Sequence, residues 1–229
     1  MTKGILWDLD GTLLNFKASE RAAIRACFAF FGLGECTDRM IADYSAINLR
    51  WWEALERGEY SREEILVGRY REFLELYGLD PGLAEAFTRE YEHRLPDTIA
   101  FEPGALETVK ALRGRVGQYA VTNGTKNVQR PKLRRSGLDA LLDGVFISEE
   151  IGAEKPSLRF FEKVLEALGD VSPGELLIVG DSLTSDILGG NNARIPTVWY
   201  NPEGKPRPAQ PHADYEIRSI GELPGLLQI

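Results

Sequence analysis

Thiols and imidazoles are nearly missing: the 229 residues hold two cysteines, Cys27 and Cys36, and two histidines, His93 and His212. So few thiols argue against a disulfide framework or a Cys-rich metal cluster and fit a reducing compartment. Two histidines in unrelated contexts do not make a zinc site. Basic residues are also short, 27 Lys and Arg against 35 Asp and Glu for a formal net charge of -8. That balance argues against a broad nucleic-acid or anionic-membrane surface. No apolar stretch approaches the roughly 20 residues of a membrane span, no basic-then-apolar leader opens the chain, and no GxxxxGK[ST] loop is present to cradle a triphosphate. The expectation is a cytoplasmic soluble protein, 43% hydrophobic and 27% charged, long enough for one main core and an elaboration of it.

The chain changes character twice. "GILW" at 4–7 is an apolar strand, after which residues 17–95 read as four helices with no strand between them. Ser61 and Glu64 stand in capping-box spacing, and Asp80 with Pro81 reads as an N-cap followed by a first-turn proline. From residue 96 onward short apolar strands alternate with helices: strands at 117–122, 144–148, 175–181, 196–200 and 213–217, helices at 126–136, 157–168, 184–194 and 219–227. This alternation predicts an α/β fold, a doubly wound and mostly parallel sheet of Rossmann-like core type, formed by 1–16 and 96–229. Residues 17–95 read as an inserted all-helical bundle.

Ligands of open α/β sheets bind beyond the carboxyl ends of the strands, and polar residues collect there. Asp8 and Asp10 follow the first strand, Thr122 and Asn123 the next, Lys155 the third, and Asp181 the fourth, with Asp186 one turn later. Several carboxylates at one edge call for a hard cation, and Mg²⁺, an oxygen-ligand ion, suits them. With that ion and Lys155 offsetting charge, Asp8 can attack a phosphoryl group as a nucleophile. Asp10 is placed to protonate the leaving oxygen and then to deprotonate a water. Gly11 lets the chain turn and Thr12 can hydrogen-bond within the loop. The Thr122 hydroxyl and the Asn123 backbone N–H would hold the phosphoryl oxygens that are not transferred. Lys126 and Arg130 read as a solvated helix face.

"DLDGT", "TNG", "EKPS" and "GDSLTSD", in this order and at these strand ends, resemble the four motifs of the haloacid dehalogenase-like superfamily of hydrolases. The resemblance implies that Asp8 is the nucleophile and Asp10 the general acid/base. It also implies that Mg²⁺ is held by the Asp8 carboxylate, the Asp10 carbonyl and Asp181, with Asp186 supporting a metal-bound water or Lys155. Residues 17–95 would be the family's mobile helical cap. The founding dehalogenases lack the second aspartate and need no metal, so Asp10 and Asp181 favour a phosphatase. The stretches "TNGTKNVQRPKLRRSGL" and "GDSLTSDILGGNNA" are similar to the branch that contains pyrimidine 5'-nucleotidases. The expected substrate is therefore a small phosphorylated metabolite such as a nucleoside 5'-monophosphate. Alternatives are a phosphomutase or a haloacid dehalogenase on the same fold, and, among non-enzymes, a receiver-like phospho-aspartate switch. Substrate candidates in the cap are Asn48, Arg50, Trp51 and Trp52; adjacent tryptophans on a helix point about 100° apart, so one of the two is expected in the cap core.

Overall fold

The computed structural model describes residues 2–227. It divides into a helical unit, Lys17–Thr98, and a second unit formed by the chain up to Phe16 and from Ile99 onward.

The helical unit contains α1 (Phe16–Phe31, whose first residue belongs to the other unit), α2 (Asp38–Glu56), α3 (Arg62–Leu76) and α4 (Ala84–Arg94). Local chemistry sets their starts. Thr37 caps α2 by accepting from the Met40 N–H, and Ser61 and Glu64 form the capping box of α3. Asp80 caps a 3₁₀ turn, Pro81–Leu83, before α4 begins at Ala84. Helical spacing then turns Ile24, Cys27 and Phe28, Tyr44, Tyr70 and Phe73, and Phe87 and Tyr91 inward. The Tyr44 and Tyr70 rings stack at 5.3 Å. Both cysteines are free, and burial pushes the Cys27 thiol up to about 12, leaving it inert. The boundary at the far end falls at 98/99 rather than 95/96. A 3₁₀ turn, Leu95–Asp97, continues α4 with Leu95 buried, and Ser19 Oγ donates to the Thr98 carbonyl at 2.9 Å.

The other unit contains β1 (Gly4–Trp7), α5 (Ala105–Leu112), β2 (Gly117–Thr122), α6 (Lys126–Ser136), β3 (Gly144–Ile147), α7 (Ser148–Ile151), α8 (Leu158–Leu168), β4 (Leu176–Gly180), α9 (Leu188–Ala193), β5 (Thr197–Tyr200), β6 (Tyr215–Ile217) and α10 (Leu223–Leu226). Among the described residues the sheet has six strands, all parallel, in the order β3-β2-β1-β4-β5-β6. Alternation along β1 sends Ile5 and Trp7 to a layer with Val109, Leu112 and Leu133, and Leu6 to the opposite layer with Phe160, Phe161 and Val164. Both faces are thus covered, as a parallel sheet requires.

Two elements depart from the sequence reading. The expected helix 184–194 is a π-helical turn, Leu183–Ile187, followed by α9, because the N–H groups of Asp186 and Ile187 both reach the Ser182 carbonyl at 3.1 Å. The expected helix 219–227 is a 3₁₀ turn, Ile220–Glu222, and the short α10. Among the described residues no helix is long and apolar enough to cross a membrane.

The register fixes what lies at the carboxyl edge. Trp7 pairs with Ala120 on one side and Val179 on the other. The chain winds outward from β1 in both directions, so Asp8 leaves the sheet at the point where strand order reverses, the ligand crevice of such folds.

Candidate active site

Asp8 is buried, with its N–H bound to the Val179 carbonyl at 2.9 Å. The loop beyond it closes on itself: Leu14 N donates to Leu9 O at 2.7 Å and Gly11 N to Leu14 O at 2.8 Å. Gly11 has φ +97°, and a Cβ there would lie 2.6 Å from Asp181 Oδ2. Glycine is therefore required both by backbone conformation and by the approach of the β4 end. Thr12, fully buried, accepts from the Asp181 N–H at 3.0 Å and faces Asp181 Oδ1 at 3.4 Å.

Lys155 is 1% exposed and spends its three protons on three acceptors. Its Nζ donates to Asp8 Oδ1 at 2.8 Å, Asp186 Oδ1 at 2.7 Å and the Val121 carbonyl at 2.8 Å. Asn123 fixes its backbone, donating to the Lys155 carbonyl and accepting from its N–H, both at 2.8 Å. The π-helical turn carries Asp186 back under the strand end, where its Oδ2 accepts from the Ser182 N–H at 3.2 Å. Thr122 is buried next to Val121 and its hydroxyl accepts from the Gly124 N–H at 3.2 Å.

Asp8, Asp181 and Asp186 each offer a carboxylate oxygen, all within 4.8 Å of one another. Burial, opposed by Lys155, pushes the Asp8 carboxyl up to about 7. Asp181 is raised well above the usual carboxylate range by the surrounding protein and by Asp8 and Asp186, although its side chain keeps solvent-exposed surface. Lys155 shows why: burial alone would lower its pKa, yet Asp186 and Asp8 outweigh burial and raise it. It stays a cation, and were all three carboxyls ionised, one ammonium would leave two negative charges uncompensated, which is what pushes Asp8 and Asp181 towards keeping a proton when no further cation is present. A divalent oxygen-ligand cation matches that deficit, so the residues present fit Mg²⁺.

Asp10 has its own, separate compensation. Lys132 Nζ, fully buried, lies 2.5 Å from Asp10 Oδ1, and Gln129 Nε2 donates to Asp10 Oδ2 at 2.7 Å. Sequence reasoning missed both residues. The available signal is helical spacing, since Gln129 and Lys132 share the buried face of α6 with Val128 and Leu133. Lys126 and Arg130 instead face outward and pair with Glu149 and Glu150.

The four candidates of the helical unit are not gathered at one point. Asn48 is buried and engaged on both sides, donating to Glu20 Oε1 at 3.0 Å and accepting from Arg69 Nη1 at 2.7 Å. Arg50 and Trp51 both bind Glu72, at 2.6 and 2.8 Å, and the Trp51 ring lies 4.9 Å from that of Tyr60. Trp52 turns the other way, with the guanidinium groups of Arg62 and Arg69 at 5.8 and 5.7 Å from its ring.

Comparison with known proteins identifies the family. Residues 2–194 match the family model described as haloacid dehalogenase-like hydrolase. The crystal structure of the HAD-hydrolase YfnB from Bacillus subtilis bound to magnesium is similar, with a TM-score of 0.94 and 34% identity over 100% of this chain and 99% of that one. The pyrimidine 5'-nucleotidase PynA of Streptococcus pneumoniae is 33% identical over 96% of this chain and 93% of its own length. The pyrimidine 5'-nucleotidase YjjG of Escherichia coli is 31% identical over 97% and 96%.

Proposed function

Because the chain belongs to the haloacid dehalogenase-like hydrolases, we propose that it is a cytoplasmic Mg²⁺-dependent phosphomonoester hydrolase acting on a nucleoside 5'-monophosphate or a similarly small phosphorylated metabolite. The observation that carries this reading is the charge deficit around Asp8, next to an Asp10 that is compensated separately. A dehalogenase has no use for either feature.

Asp8 Oδ2, the oxygen that Lys155 does not hold, attacks phosphorus. The bond from phosphorus to the ester oxygen breaks, and that oxygen keeps the electron pair and takes a proton from Asp10. Asp10, now a carboxylate, takes a proton from a water whose oxygen attacks the aspartyl-phosphate. The Asp8–phosphorus bond then breaks, releasing phosphate and leaving Asp10 protonated for the next cycle. The Thr122 hydroxyl and the Asn123 N–H hold the non-transferred oxygens, Gly11 and Thr12 shape the loop, and Lys155 with Asp186 fixes the Asp8 rotamer. Asp8, Asp181 and the Asp10 carbonyl would hold Mg²⁺, which supplies positive charge opposite the phosphoryl oxygens. Residues 17–98 serve as the substrate-selecting cap, a role supported by family membership and by the likeness to two pyrimidine 5'-nucleotidases.

The test is release of inorganic phosphate from a panel of nucleoside monophosphates, sugar phosphates and other phosphomonoesters with Mg²⁺ present. Turnover of pyrimidine 5'-monophosphates that stops with chelator and in Asp8→Asn is expected. Phosphate release that survives Asp8→Asn would remove Asp8 as nucleophile, and preference for another ester class would replace the substrate.

A further inference from the structure

We propose that Gln129 and Lys132 are positioning residues for the reaction: together they hold the Asp10 carboxyl group in the one orientation from which, carrying a proton on the lone pair of Oδ2 that Gln129 leaves free, it serves the leaving oxygen and then, ionised, the water. The inference rests on the phosphatase reading above and assigns a function to two residues outside the four motifs.

The geometry is that of a two-point clamp. Asp10 Oδ1 takes the Lys132 ammonium at 2.5 Å and Oδ2 takes the Gln129 amide at 2.7 Å. With both oxygens engaged, neither side-chain torsion of Asp10 can change without breaking a bond. Both donors stand one turn apart on α6 and are 0% and 1% exposed for Lys132 and Gln129, so they are held by packing rather than by solvent. The ammonium also lies 5.2 Å from the centre of the Phe16 ring, a cation–π contact that fixes it from the other side.

A fold gains little stability from such an arrangement. Burying an ion pair costs about what its attraction returns, and an apolar pair of the same volume often does as well. Gln129 adds a further cost, because its Oε1 is buried with no hydrogen-bond partner. The amide is thus oriented by Asp10 and not by a full set of partners. Space is reserved for it as well: a Cβ at Gly124 would overlap the Gln129 amide, so the glycine of "TNG" is needed for the clamp to reach Asp10. Positional precision is what these costs return, since a misplacement of about 1 Å in a catalytic group can cost on the order of a hundredfold in rate.

Leaving-group dependence separates positioning from mere structure. p-Nitrophenolate departs without a proton, whereas an alkoxide needs one. In Gln129→Leu and Lys132→Met, kcat/KM for p-nitrophenyl phosphate, which reports only the first step, should stay within about twofold of wild type. Its kcat and KM should both fall about tenfold, with a stoichiometric burst of p-nitrophenolate as the aspartyl-phosphate accumulates. For a nucleoside 5'-monophosphate kcat/KM itself should fall about tenfold or more, with no burst. Equal losses of kcat/KM for both esters, or no loss for either in Gln129→Leu, would overturn the proposal. Should Lys132→Met fail to fold, Gln129→Leu decides alone. Wild-type turnover and its loss in Asp8→Asn test the phosphatase reading independently, so the two failures are told apart.

Discussion

Thr12 and Asp181 grip each other across the carboxyl ends of β1 and β4: the Asp181 N–H donates to Thr12 Oγ1 at 3.0 Å, and the same oxygen faces Asp181 Oδ1 at 3.4 Å. One hydroxyl therefore sets both backbone and side chain of a proposed metal ligand. Thr12→Val keeps the shape and removes both contacts. The expected loss is about 1–2 kcal/mol in urea denaturation, from an unpaired N–H, and about a tenfold weaker Mg²⁺ affinity by calorimetry, as for other outer partners of metal ligands. Unchanged Mg²⁺ affinity would show that Asp181 needs no such support.

Lys155 lies between two buried acids, so its removal is costly in a particular way. Lys155→Met leaves Asp8 and Asp186 facing each other without a cation, with an expected destabilisation of about 3–5 kcal/mol. Adding Asp186→Asn removes one of the repelling charges. The double variant should then be more stable than the sum of the single losses by about 1 kcal/mol or more. Strict additivity in denaturant titrations would mean that the three side chains do not act as a unit.

The raised Asp8 carboxyl makes stability depend on pH and on metal together. Its ordinary value is 3.8 and its value in the fold is about 7, so between these pH values the native protein keeps a proton that the unfolded chain has released. Stability from this group is full below pH 4 and is lost as pH rises towards and through 7. Mg²⁺, competing with that proton, should stabilise the protein more at pH 8 than at pH 5. Thermal melts with chelator and with Mg²⁺ check both signs. Asp8→Asn should flatten the metal-free profile between pH 4 and 7 relative to wild type, and an identical slope in the variant would assign the effect elsewhere.

The sheet and the residues at its edge are legible in the sequence for one reason. A parallel strand buried on both faces is a continuous apolar run, so the first polar residue after "GILW" or "LLIVG" has to sit at the carboxyl edge. Asp8, Thr122 and Asp181 are found by that logic. Lys132 and Gln129 are not, because "KNVQRPKLRRS" contains five cations and composition alone does not say which one turns inward. The π-helical turn is hidden for a different reason: its wider hydrogen bonding to Ser182 accompanies the placing of Asp186 against Lys155, a tertiary contact between distant segments. In the helical unit Trp51 and Trp52 point to different partners, as adjacency on a helix requires, but both are half-buried, so neither is the core residue expected, and their partners Glu72 and Arg69 lie on a different helix.

Trp51 and Gly68 make a closely matched pair inside the helical unit, and their coupling has a predictable sign. Gly68 sits in the interior of α3, where glycine costs about 1 kcal/mol relative to alanine. A Cβ there would come within 2.8 Å of Trp51 Cζ3, closer than carbon atoms approach without strain. The indole is also anchored by its N–H to Glu72 at 2.8 Å and cannot simply slide away. Gly68→Ala should therefore destabilise the wild-type protein despite its better helix propensity. Trp51→Ala removes the ring and its packing, at an expected cost of about 2 kcal/mol. In that background the methyl group meets no obstacle, so the same Gly68→Ala change should stabilise by about 1 kcal/mol. Urea denaturation of the four proteins measures the reversal directly. Stabilisation by Gly68→Ala in both backgrounds would mean that the ring is mobile enough to yield, and destabilisation in both would mean that something other than Trp51 opposes a side chain at this position.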